Sequence, residues 1–127
     1  MTLKLQTLDA LSVFSDTVDC MLEISTEQMR NLFRTVRSPD ELDVDTIQQI
    51  LELYTQQLID HWTIECHCEH WLTQILDPEQ SSQVTHLEAQ SRALKSVTEE
   101  ILRLARHFDD YQLVCATRME NLALRFG

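Results

Sequence analysis

The chain has 127 residues, 43% of them apolar, with one Gly and two Pro. That is enough apolar material for a packed core in a single domain spanning 1–127, and too few turn formers for a strand-rich fold. The net charge of −11 is uneven: −1 over residues 1–38, −10 over 39–79 with no Lys or Arg, and zero over 80–127. A phosphate backbone needs a basic footprint, so nucleic acid is a poor partner.

Segment one runs from about Leu5 to Val36. Its opening residues carry one Lys and an early Asp9, unlike a secretory signal, and no apolar run in the chain reaches the roughly 18 residues needed to span a bilayer. The expected location is therefore cytoplasmic, with the four cysteines reduced. Leu8, Leu11, Ser15, Val18, Leu22, Ser25, Met29, Leu32 and Val36 alternate by three and four, the signature of a helix with one buried stripe. Ser25-x-x-Gln28 also reads as a capping box, so this is one helix with a kink or two joined near Ser25. Ser15 and Ser25 are the weak points of the stripe.

Segment two starts at Ser38-Pro39-Asp40-Glu41, which supplies an N-cap, a Pro at the first helical position and acids for the positive end of the dipole. Its stripe reads Ile47, Ile50, Tyr54, Leu58, Ile64, Trp71, Leu72 and Ile75, and it stops at Asp77-Pro78. After a polar connection over 79–83, segment three carries Leu87, Leu94, Val97, Ile101, Leu104, Phe108, Tyr111, Cys115, Met119, Leu122 and Phe126 at similar spacings. Arg118 and Arg125 suit its C-terminal end. The fold class these segments predict is all-α: an antiparallel bundle of three long amphipathic helices with coiled-coil-like packing.

The stretch HWTIECHCEH, His61–His70, holds three of the five histidines and two of the four cysteines. Wound as a helix at about 100° per residue, it divides. His61, Glu65 and Cys68 form an inward column, while Cys66, His67 and His70 point outward. One tetrahedral ion does not reach both groups. The inward His-x3-Glu resembles part of a di-iron ligand set, and that resemblance implies His61, Glu65 and His107 as metal candidates. The commoner arrangement is a buried histidine hydrogen-bonded to Glu65, and no cofactor is expected. Cys68 and His61 are too far apart along the axis for a nucleophile–base pair, and with no internal Gly there is no phosphate-cradling loop. An enzyme is not the expectation. Ile59 on the outer face, with Trp62, Cys66 and His70, makes a semi-exposed strip of the kind that mediates protein contacts. The acidic second helix is either a solvated face, partly neutralised by Arg92, Lys95, Arg103 and Arg106, or a docking surface for a basic protein partner.

The stretch Leu22 to Gln49 resembles part of a phasin, in having a long helix, a Ser-Pro-acid-acid-Leu start and a Gln-bearing amphipathic helix. It covers about a quarter of the chain, and it implies coating of an apolar storage granule. The composition and the exposed strip together lead instead to a non-enzymatic interaction or adaptor protein that forms a homo-oligomer. A helical-bundle metal-binding protein is the third reading.

Overall fold

The computed structural model describes residues 5–126, and side chains through residue 124. Among these residues there are three α-helices and no strand: α1 (Leu11–Thr35), α2 (Val44–Leu72) and α3 (Pro78–Phe126). The all-α reading holds. α2 runs antiparallel to both of its neighbours, as cross-contacts Gln57–Ser25, Ser91–His61 and Gln48–Asp109 require. α1 and α2 each pack along α3, so α3 is the spine of the bundle.

α1 passes through Ser25 without a break. Ser25 is buried and its hydroxyl accepts from Gln57 Nε2 (3.0 Å), while Thr26 Oγ1 donates back to the Leu22 carbonyl (2.7 Å). Both hydroxyls are thus engaged inside a continuing helix and neither caps a new one. The helix begins later than the stripe suggests: Leu8–Ala10 form a single 3₁₀ turn before it.

The start of α2 also moves. Ser38 makes no side-chain cap; Pro39–Glu41 form one 3₁₀ turn, Leu42 is extended, and Asp43 is the N-cap, accepting from the Thr46 amide at 2.7 Å. Those hydrogen bonds hold the Asp43 carboxyl below the usual carboxylate range. α2 ends at Leu72, short of the expected Ile75. The residue before a proline is steered away from helical geometry, so the chain must unwind before Asp77. Leu72 is consequently half-exposed and Ile75 wholly so, although both were assigned to the stripe.

Residues 79–83, expected to be a connection, are the first turn of α3. Asp77 accepts from the Gln80 amide (2.7 Å) and its own N–H donates to Gln80 Oε1 (3.1 Å), a reciprocal capping box with Pro78 at the first helical position. Asp77→Ala is expected to lower stability by about 1 kcal/mol, read as a shifted urea midpoint with an unchanged slope.

The core is in two parts. Leu32, Ile47, Ile50, Tyr54, Ile101 and Phe108 anchor one cluster; Leu11, Val18, Ile64, Trp71, Val84 and Leu87 anchor the other. Between them, Gln57 Nε2 donates to both Ser25 Oγ on α1 (3.0 Å) and Thr98 Oγ1 on α3 (2.9 Å), so one amide ties all three helices together. Leu42 and Tyr111 bracket the opposite limit of the stripe: α3 is buried through Phe108, and Tyr111, Met119 and Leu122 beyond it are exposed. Phe126, the last stripe position, and Arg125 lie outside the described side chains.

Candidate functional site

The inward column of HWTIECHCEH lines a cavity of about 170 Å³ between α2 and α3, together with Glu69, Glu88, Ser91 and Arg92. His61 is buried, and its partner is a hydroxyl: Ser91 Oγ lies 2.9 Å from Nδ1. Donation from Ser91 to Nδ1 leaves the ring N–H on Nε2. Glu65 Oε1 stands 3.1 Å from Nε2 but is not aligned as a hydrogen bond. Glu65 was placed on the apolar face; its side chain is in fact half-exposed at the rim, where the carboxylate keeps its hydration.

Cys68 sits on the cavity wall and is buried. Burial first, then the carboxylates of Glu88, Glu65 and Glu69, push its thiol up to about 11. A protonated thiol is neither a nucleophile nor a ready metal ligand. His107 does not join the column. It is exposed on α3, sixteen residues beyond Ser91, or ~24 Å at 1.5 Å per residue. Among the described residues no group of three or more His, Cys, Asp or Glu side chains converges so as to hold an ion.

His67 is the clearest departure from the helical-wheel reading. Expected to point outward, it is 1% exposed. Its Nδ1 lies 2.7 Å from the Thr63 carbonyl, so it carries the proton and donates, and Nε2 accepts from the Gln6 amide at 3.1 Å. Trp71 Nε1 donates to the Gln6 carbonyl at 3.1 Å. Both backbone groups of Gln6 are therefore held by α2, and Phe14 closes over His67 and Trp71 at ring separations of 4.7 and 5.4 Å. The expectation failed because it counted one neighbour for α2. A helix in a three-helix bundle has two, and the second buried arc is the one facing α1 and the segment before it.

The outer strip is as expected in part. Ile59 and Trp62 are 58% and 57% exposed; Cys66 and His70 are half-buried, and His70 Nε2 lies 3.2 Å from the Gln74 amide nitrogen. The pairing of α2 acids with α3 cations does not occur as expected for Arg103, which pairs with Glu100 on its own helix. Arg92 does reach the α2 acids' neighbourhood, lining the cavity beside Glu65 and Glu69. The turn leading into α2 carries Asp40, Glu41 and Asp43, and the first turn of α2 carries Asp45, all exposed.

A second apolar surface was not singled out from the sequence. α3 is 49 residues long against 29 for α2, and past Gln112 it leaves both neighbours. From Leu113 to Leu124 every side chain except Cys115 is exposed, including Leu113 at 68% and Met119 at 67%. The predicted segments, about 39–76 and 84–126, differ too little in length to show it; the overhang arises because α2 starts later and ends earlier than its stripe suggests and α3 starts earlier. Among the described residues no helix is long and apolar enough to cross a membrane. Comparison with known proteins returns no match to a family model, a curated protein or a solved structure.

Proposed function

We propose that this chain is a non-enzymatic helical interaction protein that works through protein–protein contacts and self-associates. The observation that carries this reading is the projecting end of α3, where the stripe that forms the core continues through Tyr111, Cys115, Met119 and Leu122 and, among the described residues, Tyr111, Met119 and Leu122 are exposed. Uncovered apolar surface of this kind is costly in water and marks a place of contact. The strip of Ile59 and Trp62 on α2, with Cys66 and His70 behind it, offers a second contact face on a different side. The acidic residues at and before the start of α2 suit a basic protein partner. The cavity beside His61 adds no activated nucleophile to this reading, since burial and neighbouring carboxylates push the Cys68 thiol up to about 11.

Light scattering across a concentration series tests the reading. The wild-type protein is expected to rise above the mass of one chain as concentration increases. Trp62→Glu, at an exposed position away from the end of α3, is expected to keep its fold and to self-associate as the wild type does, which leaves that face for a different protein partner. Single-chain mass for both proteins at every concentration removes self-association.

A further inference from the structure

The end of α3 has a symmetry of its own. Counting from Cys115, Tyr111 lies four residues before and Met119 four after; Phe108 lies seven before and Leu122 seven after. At 3.6 residues per turn these steps keep all five on one face. Phe108 is already buried in the bundle, while Tyr111, Met119 and Leu122 are exposed and Cys115 is half-buried. With Phe108 in the core, the part of the stripe open to a partner that reads the same in both directions about its middle is Tyr111, Cys115 and Met119. A two-fold contact between identical chains needs that property, because residue i of one copy must meet residue j of the other and j must meet i.

Charge selects the orientation. The root of the projecting segment is acidic: Asp109 and Asp110 on α3 lie beside the turn carrying Asp40 and Asp43, and Tyr111 donates to Asp40 while Gln48 donates to Asp109. Arg106, one turn before Asp109 and Asp110 on α3, offsets this only in part. Farther out, Arg118 is a positive charge beside the stripe. Side-by-side pairing in the same direction brings two acidic roots together and crowds two three-helix bundles into one space. Head-to-tail pairing about Cys115 holds Asp109 of one copy twelve residues along the axis from Asp109 of the other, ~18 Å at 1.5 Å each. That is well beyond a screening length of about 8 Å. It also brings Arg118 of each copy level with the other's Tyr111 and Asp40.

We propose that the projecting end of α3 pairs antiparallel with the same segment of a second copy of this chain, about a two-fold axis near Cys115. This rests on the reading of self-association and names the surface and the geometry.

The test uses the full chain. Sedimentation equilibrium of the wild type is expected to give twice the chain mass. The double variant Met119→Glu/Leu122→Glu is expected to sediment at the chain mass, with circular dichroism and thermal midpoint confirming that the bundle is intact. Orientation is read by cross-linking in a background of Cys20→Ser, Cys66→Ser and Cys115→Ser. A mixture of Tyr111→Cys and Met119→Cys chains is expected to form the mixed disulfide, with little product from either variant alone. Products from each variant alone and none from the mixture indicate parallel pairing and overturn the proposal. So does a double variant that assembles as well as the wild type, an outcome that leaves self-association standing through another face such as that of Trp62. A wild type at the chain mass throughout overturns both, and means that the segment is covered by something other than a second copy.

Discussion

Trp71→Ala is expected to lower the unfolding free energy by about 3–5 kcal/mol, the range for emptying a fully buried large aromatic site. The ring is 0% exposed and packs in the cluster of Leu11, Val84 and Leu87. It also stands 5.4 Å from both Phe14 and His67, and its N–H holds the Gln6 carbonyl. Removing it therefore opens a cavity and releases one of the two bonds that fasten Gln6. Trp71→Phe separates the two effects: most of the ring remains, the N–H does not, and the loss should fall to about 1–3 kcal/mol, the cost of an unmet buried polar group. Trp62 is the internal control. It has the same side chain nine positions earlier and is more than half exposed, so Trp62→Ala should change the stability of the monomer by no more than about 0.5 kcal/mol. Urea unfolding followed by circular dichroism checks all three, since fluorescence changes with the residue replaced. Equal losses at Trp71 and Trp62 would contradict the packing described for the cluster of Leu11, Val84 and Leu87.

The second large effect is chemical. With its thiol pushed up to about 11 from an ordinary value near 9, Cys68 should react with a thiol reagent roughly 100-fold more slowly at neutral pH than an unperturbed cysteine, before its burial slows access further. The rate should climb about tenfold per pH unit and level off only above pH of about 11. The same shift bears on stability. The folded state holds the thiol proton more tightly than the unfolded chain, so the contribution is fully present below pH 9 and is lost as pH rises through about 11. Mass-resolved alkylation of the native protein provides the comparison. Cys20, exposed on α1, should be modified first and Cys68 last. Prompt modification of Cys68 at neutral pH would mean that the cavity between α2 and α3 is open and its carboxylates are distant.

How much of this the amino-acid order revealed depends on which neighbour a residue meets. Val18, Leu32, Ile47, Tyr54, Leu94 and Ile101 were legible because a buried stripe repeats every three or four residues, and each of them is buried. Gln57 and Thr98 were passed over because polarity suggests solvent, and only the meeting of three helices supplies Gln57 with two hydroxyl acceptors. His67 was misplaced for a related reason: its partner, Gln6, is 61 residues away. The ends of helices were the other difficulty. Ser38 and Asp43 are both able to cap, and Asp77-Pro78 reads equally as a stop for α2 and as a start for α3. In the structure Asp77 does the second, and the Gln80 reply that completes its box lies in residues taken for a loop. For the candidate surfaces, the strip at Ile59 and Trp62 came from the wheel. The uncovered end of α3 required the lengths of α2 and α3 to be set against each other.

The single amide shared by Ser25, Gln57 and Thr98 also limits what this molecule can do mechanically. Sliding α2 by a turn, about 5.4 Å, would carry that amide away from both hydroxyls, and sliding α1 or α3 would break one of its two bonds. Axial creep is therefore penalised at the midpoint of the bundle, and the overhang of the longest helix is a fixed ruler, set when the chain folds.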